Sequence, residues 1–266
     1  MGGPVDVHTV GGTVEVTLNR PEVLNAMNLD LLRSLAEHLT ALAVDDRVGA
    51  VVICGAGRAF CAGGDLRWVL TAPRGPAAGL HALASLLHQA IVEIRRMRKP
   101  VIAAVNGVAA GAGFSLALAC DFRLMARSAV FHQAYTSRGL SIDGGGTFSL
   151  PRLVGLARAL EIAAFDTPIT AEQALTWGLA TKLVDDGSTL KEARTLARTL
   201  AMRSIHAFGV SKQLLTDSFD TPLETQLERE RAALRGCGLH PDGREGLDAF
   251  SAKRQPVFAP ALDSRR

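Results

Sequence analysis

The chain has 266 residues, 48% of them apolar and 21% charged, with a formal net charge of +3. This is enough for a full core, as one large domain or one domain plus a short appendage, and too little charge for a solvating tail. Basic residues are scattered except at Arg95, Arg96, Arg98 and Lys99 and at the terminal Arg265-Arg266, and aromatics make up only 5%, which argues against a nucleic-acid partner.

From the N-terminus, Val5–Val10 and Thr13–Leu18 alternate in β-prone residues around Gly11-Gly12, which predicts a hairpin. Asn28 is placed to cap a helix over 29–43, where Leu31, Leu32, Leu35 and Leu39 recur at helical spacing. The run 48–54 reads as a buried strand ended by Gly55-Ala56-Gly57. Residues 80–97 have helical period and stop at Lys99-Pro100. Val101–Val105 reads as another buried strand, broken at Asn106-Gly107, followed by a short helix over 113–119 and strands at 122–125 and 130–131. Alternating strands and helices to about residue 185 predict an α/β layering. Beyond it the pattern is helical only, over 190–202, 205–216 and 222–234, with a soft boundary near 187–200. The apolar runs 101–105 and 114–120 fall far short of the ~20 residues that span a bilayer. The Met1-Gly2-Gly3-Pro4 start lacks a charged segment followed by an apolar one, so no signal peptide and a cytoplasmic, membrane-free protein are expected. Cys54, Cys61, Cys120 and Cys237 lack C-x-x-C spacing and read as free thiols; no metal site is expected.

Two glycine-rich loops each follow a buried strand: Arg58-Ala59-Phe60-Cys61-Ala62-Gly63-Gly64-Asp65-Leu66 and Asn106-Gly107-Val108-Ala109-Ala110-Gly111-Ala112-Gly113-Phe114. Small residues let a ligand approach backbone N–H groups, and a nearby helix start aims its positive end the same way. Neither loop fits a dinucleotide or P-loop pattern, which makes nucleotide phosphate transfer a poor reading. Ala59 to Leu66 resembles an A-F-x-A-G-x-D-[IL] motif, and Lys99-Pro100-Val101-Ile102-Ala103-Ala104-Val105-Asn106-Gly107 with Ala109, Gly111 and Gly113 resembles K-P-V-I-A-A-[VI]-N-G-x-A-x-G-x-G. Asn19-Arg20-Pro21, Leu24-Asn25-Ala26-Met27, Glu245-Gly246, Ala249-Phe250, Lys253-Arg254 and Phe258 continue the likeness in order. Together these motifs resemble the enoyl-CoA hydratase/isomerase (crotonase) superfamily from about residue 13 to 258.

The resemblance implies a crotonase-like α/β spiral of ββα units over 1–190, carrying the CoA and active sites, with a helical C-terminal trimerisation region over 191–266. It also implies a homotrimer or homohexamer and an acyl-CoA thioester as partner, with no cofactor beyond the CoA of the substrate. By the same resemblance the amides of Gly64 and Ala112 form an oxyanion hole. The main chain around Asn25, Ala26 and Ala62 cradles the adenine, and Arg20 lies near the phosphates. Asp65, Leu66 and Lys253 complete the CoA-facing set, Asp65 being expected mainly to tie its loop to backbone amides.

The acid/base residues narrow the reaction. The family's hydratases carry two glutamates; here Ser115 stands at the first position and Tyr135, in Phe131-His132-Gln133-Ala134-Tyr135, at the second. One carboxylate remains nearby, Asp143, in Gly139-Leu140-Ser141-Ile142-Asp143-Gly144-Gly145-Gly146-Thr147. That stretch, running on to Leu150-Pro151-Arg152-Leu153-Val154-Gly155, resembles the pattern of the superfamily's isomerases, with Ile142 in place of proline. Leu140, Ile142 and Phe148 are expected as its apolar neighbours, and a helix is expected to start at Thr147. One carboxylate suffices to move a proton from C2 to C4 of a 3-enoyl thioester while the enolate oxygen is held. Isomerisation is therefore the leading expectation. Hydration using Asp143 with Tyr135, and a non-catalytic acyl-CoA-binding role, stay open. Ser115 is not in a G-x-S-x-G context, His132 and Cys61 read as structural, and His81 and His88 share a helix face without further meaning.

Overall fold

The computed structural model describes residues 3–258, so the Met1-Gly2 start and the Arg265-Arg266 pair lie outside the described residues. In chain order the strands are β1 (Val5–Val10), β2 (Thr13–Leu18), β3 (Ala50–Gly55), β4 (Ala59–Cys61), β5 (Val101–Val105), β6 (Val108–Ala110), β7 (Phe122–Ala126), β8 (Val130–His132), β9 (Ile169–Thr170) and β10 (Lys182–Val184). The α-helices are α1 (Leu29–Val44), α2 (Leu66–Leu70), α3 (Pro76–Arg96), α4 (Ala112–Ala119), α5 (Gly146–Phe165), α6 (Ala171–Thr176), α7 (Thr189–Ala201), α8 (Ile205–Asp217), α9 (Leu223–Leu239) and α10 (Pro241–Ser251).

The first hairpin pairs Val5 with Leu18 through Val10 with Thr13, its two-residue turn met by glycines at positive φ. The strand β2 continues in parallel to β3, β5, β7 and β10, giving a sheet in the order β1-β2-β3-β5-β7-β10. Pleating divides the central strands between two cores. Val51 and Ile53 of β3 and Val101, Ala103 and Val105 of β5 face the main core with α1 and α3. Ala50, Val52, Cys54, Ile102 and Ala104 face the opposite side, where Ala193 and Ala197 bring α7 close. Burial on both faces is why these strands read as continuous apolar runs rather than alternating ones.

Three of the long parallel strands turn at once into a short strand of a second sheet, ordered β4-β6-β8-β9. The turns are interlocked. A Cβ at Gly55 would stand 2.2 Å from the Ala59 carbonyl oxygen, and one at Gly107 would stand 2.1 Å from that of Arg58. Asn106 Nδ2 donates to the carbonyls of Gly55 (3.1 Å) and Gly57 (2.9 Å), tying the two turns together. The second sheet therefore carries the two glycine-rich loops to one side of the molecule.

The helices depart from expectation in two places. The helix α3 begins at Pro76, ahead of 80, because Gly75 ends the preceding turn and Pro76 occupies the first helical position, where no N–H is needed. It is long and apolar enough to cross a membrane by length and composition. Leu83, Leu87, Ala90, Ile91 and Ile94, however, are buried in the main core. At the other end α9 runs past 234 to Leu239, and α10 follows directly. Gly236 and Gly238 weaken the helical signal there, while His240 Nδ1 accepts from Asp242 N (3.2 Å) to start α10 at Pro241.

Two lysines are buried, and one of them, Lys99, belongs to the basic cluster. Lys99 Nζ donates to the carbonyls of Leu42 (2.5 Å) and Asp45 (2.6 Å), closing the C-terminal end of α1. Lys212 of α8 donates to Ile94 O (2.8 Å) and Asp121 Oδ2 (2.8 Å), and Asp121 also accepts from Val101 N (2.9 Å). Burial pushes the Asp121 carboxyl up and the Lys212 ammonium down from their ordinary values, and each partner opposes the other's shift. This pair fastens the C-terminal helices to the sheet. Lys212→Met would leave Asp121 without its counter-ion, and an expected loss of about 3 kcal/mol should appear as a lower urea midpoint at fixed protein concentration.

Candidate active site

The first loop is held from behind by an N-terminal turn. Leu24 and Asn25 both take positive φ (55° and 59°), which turns the Asn25 side chain into the protein. Fully buried, Asn25 Nδ2 donates to Ala56 O (2.9 Å), Ala59 O (2.9 Å) and Phe60 O (3.2 Å), while its Oδ1 accepts from Arg20 N (2.9 Å). Its own carbonyl accepts from Cys61 Sγ (3.1 Å). Burial pushes the Cys61 thiol up to about 12, so it serves as a small neutral packing group.

An isolated parallel bridge between Met27 and Gly64 sets the loop's direction. Met27 N donates to Gly63 O (2.7 Å), Asp65 N donates to Met27 O (2.8 Å), and Ala62 N donates to Leu24 O (2.9 Å). Among the described residues the Gly64 N–H has no protein acceptor. Asp65 caps α2 by accepting from Trp68 N (3.1 Å) and receives Arg20 Nη1 at 3.1 Å; the same nitrogen donates to Ala26 O at 2.5 Å. Arg20, Asn25, Ala26 and Asp65 thus form a support behind the loop.

The second loop comes up against the first. Gly111, at φ 51°, donates its N–H to His132 O (2.9 Å), and Ala112 opens α4, all of whose residues are buried. A Cβ on Gly63 would stand 2.8 Å from Ala110 O and 3.3 Å from Ala112 N, so the loops are in contact and glycine is required there. The Ala112 N–H likewise has no protein acceptor among the described residues, and it sits at the positive end of a helix.

Gly64 and Ala112 line a cavity of about 300 Å³ together with Ala62, Leu66, Tyr135 and Asp143; Leu80, Leu83, Leu87 and Leu140 supply an apolar wall. Ser115 Oγ donates to Asp143 O (2.8 Å), and Gly144 N donates to His88 Nε2 (3.3 Å), which seats the Asp143 turn on α4 and α3. That turn needs a small residue below it. A Cβ at Gly144 would be 2.9 Å from Ser115 Cβ, and one at Gly146 would be 2.8 Å from Ser115 Oγ. The space a longer side chain at 115 would use is filled by the Asp143 turn. The Tyr135 hydroxyl donates to Asp143 Oδ1. Burial, then the charge of Asp143, pushes the phenol's pKa far above its ordinary value, so Tyr135 keeps its proton.

Of the residues singled out in the sequence, the fold therefore brings Gly64, Ala112, Ala62, Leu66 and Asp143 to one cavity. Arg20, Asn25, Ala26 and Asp65 stand behind it, and Lys253, exposed and at φ 52° beyond α10, is not among the residues lining it. One expected neighbour of Asp143 is corrected: Phe148 lies under the Arg152 guanidinium at 3.5 Å and lines a different cavity, because α5 starts at Gly146 and turns it away. His132 also lines the Asp143 cavity, and its Nε2 bonds Asp166 O at 2.8 Å. Sequence alone did not point to His88 as a support, and it paired Tyr135 with Asp143 only in the hydration alternative; side chains that meet across loops leave no spacing signal.

Asn25→Ala would strand the carbonyls of Ala59 and Phe60 in the interior. An expected loss of about 2–3 kcal/mol is measurable by chemical denaturation, and crystallography of the variant should show the 56–64 segment displaced.

Residues 9–261 match the family described as enoyl-CoA hydratase/isomerase. The chain is 43% identical over 252 residues to 1,2-epoxyphenylacetyl-CoA isomerase of Escherichia coli (strain K12), covering 94% of this chain and 96% of that protein. It is 41% identical over 251 residues to a probable enoyl-CoA hydratase of Rhodobacter capsulatus, covering 93% and 94%. A solved structure of an enoyl-CoA hydratase from Polaromonas sp. JS666 has a TM-score of 0.91 to this fold at 38% identity, over 96% of this chain and 99% of that one. With two converging glycine-rich loops, a spiral of ββα units and this extent of likeness, the chain belongs to the enoyl-CoA hydratase/isomerase (crotonase) family and is an acyl-CoA enzyme of that family.

Proposed function

We propose that the chain is an acyl-CoA isomerase, shifting a double bond or opening a ring next to a thioester, with Asp143 as the proton carrier. The observation that carries this reading is that Asp143 is the one carboxylate among the described residues lining the cavity that also holds Gly64 and Ala112. The thioester oxygen accepts from the two free N–H groups, which strengthen as charge moves onto it during enolate formation. Each such donor contributes about 3–4 kcal/mol by analogy with other oxyanion holes. Asp143 removes a proton from C2 and returns it farther along the chain, and the leucine wall keeps water from the carboxylate and the enolate. The likeness to 1,2-epoxyphenylacetyl-CoA isomerase supports the same class of reaction.

Hydration is the second reading, favoured by Tyr135 beside Asp143 and by the likeness to a probable enoyl-CoA hydratase. Against it, Tyr135 holds its proton too tightly to activate water, and Ser115 is engaged by Asp143 O. Ala62 and Leu66 border the proposed CoA entrance, and Arg20 and Lys253 are assigned to its phosphate end. The helices over 191–266 are proposed to mediate assembly as a trimer or hexamer. Exposed apolar residues there, such as Leu234 and Phe250, support this (76% and 84% exposed).

Wild type and Asp143→Asn should each be given 3-enoyl-CoA and 2-enoyl-CoA. Rearrangement of the 3-enoyl thioester is expected, with kcat falling on the order of 10³-fold in the variant while the thioester still binds. Hydration of 2-enoyl-CoA as the main activity would overturn the isomerase reading, and binding without turnover by wild type would mark a non-catalytic protein. Gly63→Ala should force the two loops apart and lower kcat by roughly 10²-fold, with a lower unfolding temperature as well, because alanine is strained at φ 95° and its Cβ would meet Ala110 O. An unchanged kcat would remove the two-amide site from the mechanism.

A further inference from the structure

Tyr135 is the only tyrosine in the sequence, and the fold places it with care. Its N–H donates to Gln133 Oε1 (3.2 Å), and its carbonyl accepts from Arg138 N (2.9 Å) and Leu140 N (3.0 Å), so the residue is fixed within its turn. Its ring stands beside the second glycine-rich loop: a Cβ at Gly111 would be 3.8 Å from two ring carbons. The hydroxyl then reaches Asp143 Oδ1. The Asp143 main chain is held separately, its carbonyl accepting from Ser115 Oγ (2.8 Å) and from Gly146 N (3.0 Å). Among the described residues Oδ2 accepts no hydrogen bond from a side chain. One carboxylate oxygen is therefore bound to a fixed donor and the other is left for a ligand.

We propose that Tyr135 is a positioning residue that locks Asp143 through Oδ1, so that Oδ2 alone takes the proton from C2 of the acyl chain and returns the same proton to C4. The inference rests on the isomerase reading above. In the first half, the C2–H bond breaks, its electron pair moves into the enolate and onto the thioester oxygen, and an O–H bond forms at Oδ2. In the second, that O–H bond breaks, the enolate pair returns through a C2–C3 double bond, the former C3–C4 pair takes the proton, and C4–H forms. No other reactant is consumed. A carboxyl group without the Tyr135 bond can turn about its Cβ–Cγ bond and trade its proton with water before C4 is reached. Because the phenol holds its own proton, it donates throughout and never competes for the substrate's.

The test follows the proton. With 3-enoyl-CoA deuterated at C2, the wild-type enzyme should deliver a substantial share of the label to C4. Tyr135→Phe should deliver much less and lose kcat by roughly 10- to 100-fold, with KM within about twofold of wild type. Biosynthetic replacement of the single tyrosine by 3-fluorotyrosine, which keeps the hydroxyl, should retain wild-type label transfer. Unchanged transfer in Tyr135→Phe, or a rise in KM alone, would overturn the proposal and leave Tyr135 as part of the wall. Should that variant fail to fold, tyrosine carrying ¹³C at Cζ gives one resonance in the wild type. That resonance must shift in Asp143→Ala, and a stationary signal would overturn the contact. Asp143→Asn, run alongside, separates the two ideas: wild-type turnover by it rejects the carboxylate as base, whatever Tyr135→Phe does.

Discussion

Two stretches of backbone must pass close enough for Gly64 and Ala112 to line the same cavity, and most of the molecule serves that approach. Contact at this range leaves no room for a Cβ at Gly63, and the turns feeding the loops leave none at Gly55 or Gly107. Glycine alone would make such loops mobile. The opposing constraint comes from buried Asn25 and half-buried Asn106, whose amides bond carbonyls of the turns. Freedom of φ and a surplus of side-chain hydrogen bonds together produce a rigid loop pair.

The same use of small residues extends to Asp143, the proposed proton carrier. Ser115 on α4 gives the Asp143 turn a seat that a longer side chain would occupy, and its hydroxyl holds the turn down. Two neighbouring facts are then one arrangement: a short residue at 115, and a carboxylate entering the cavity from the turn above it. His88 and Tyr135 complete the support from α3 and from the turn before Leu140. The apolar wall formed by α3 raises the strength of every dipole aimed into the cavity by excluding water.

The helical C-terminal part is joined to the rest by the apolar packing of α7 on the outer face of the sheet and by a few strong polar contacts of α8. Lys212 and Asp121 link α8 to the end of α3 and to the β5–β7 edge, while α7 covers the outer face of the sheet with alanines. The large apolar side chains beyond these contacts face outward, as in Leu223 and Leu234, which suits the assembly role proposed for this region.

By itself, the sequence determined the local chemistry: the hairpin around Gly11-Gly12, the Asn28 cap, the buried strands, and the family motifs that single out Gly64, Ala112 and Asp143. These are legible because turns, caps and apolar periods act between residues a few positions apart. Only the tertiary structure decided which of them meet. It assigned Asn25 and Arg20 to holding the loop, turned Phe148 away from Asp143, and brought Tyr135 and His88 to the carboxylate turn. It also started α3 at Pro76 and added α10. Each of these depends on hydrogen bonds or packing between segments whose separation in space is set by the sheet order, and no local pattern of residues encodes that separation.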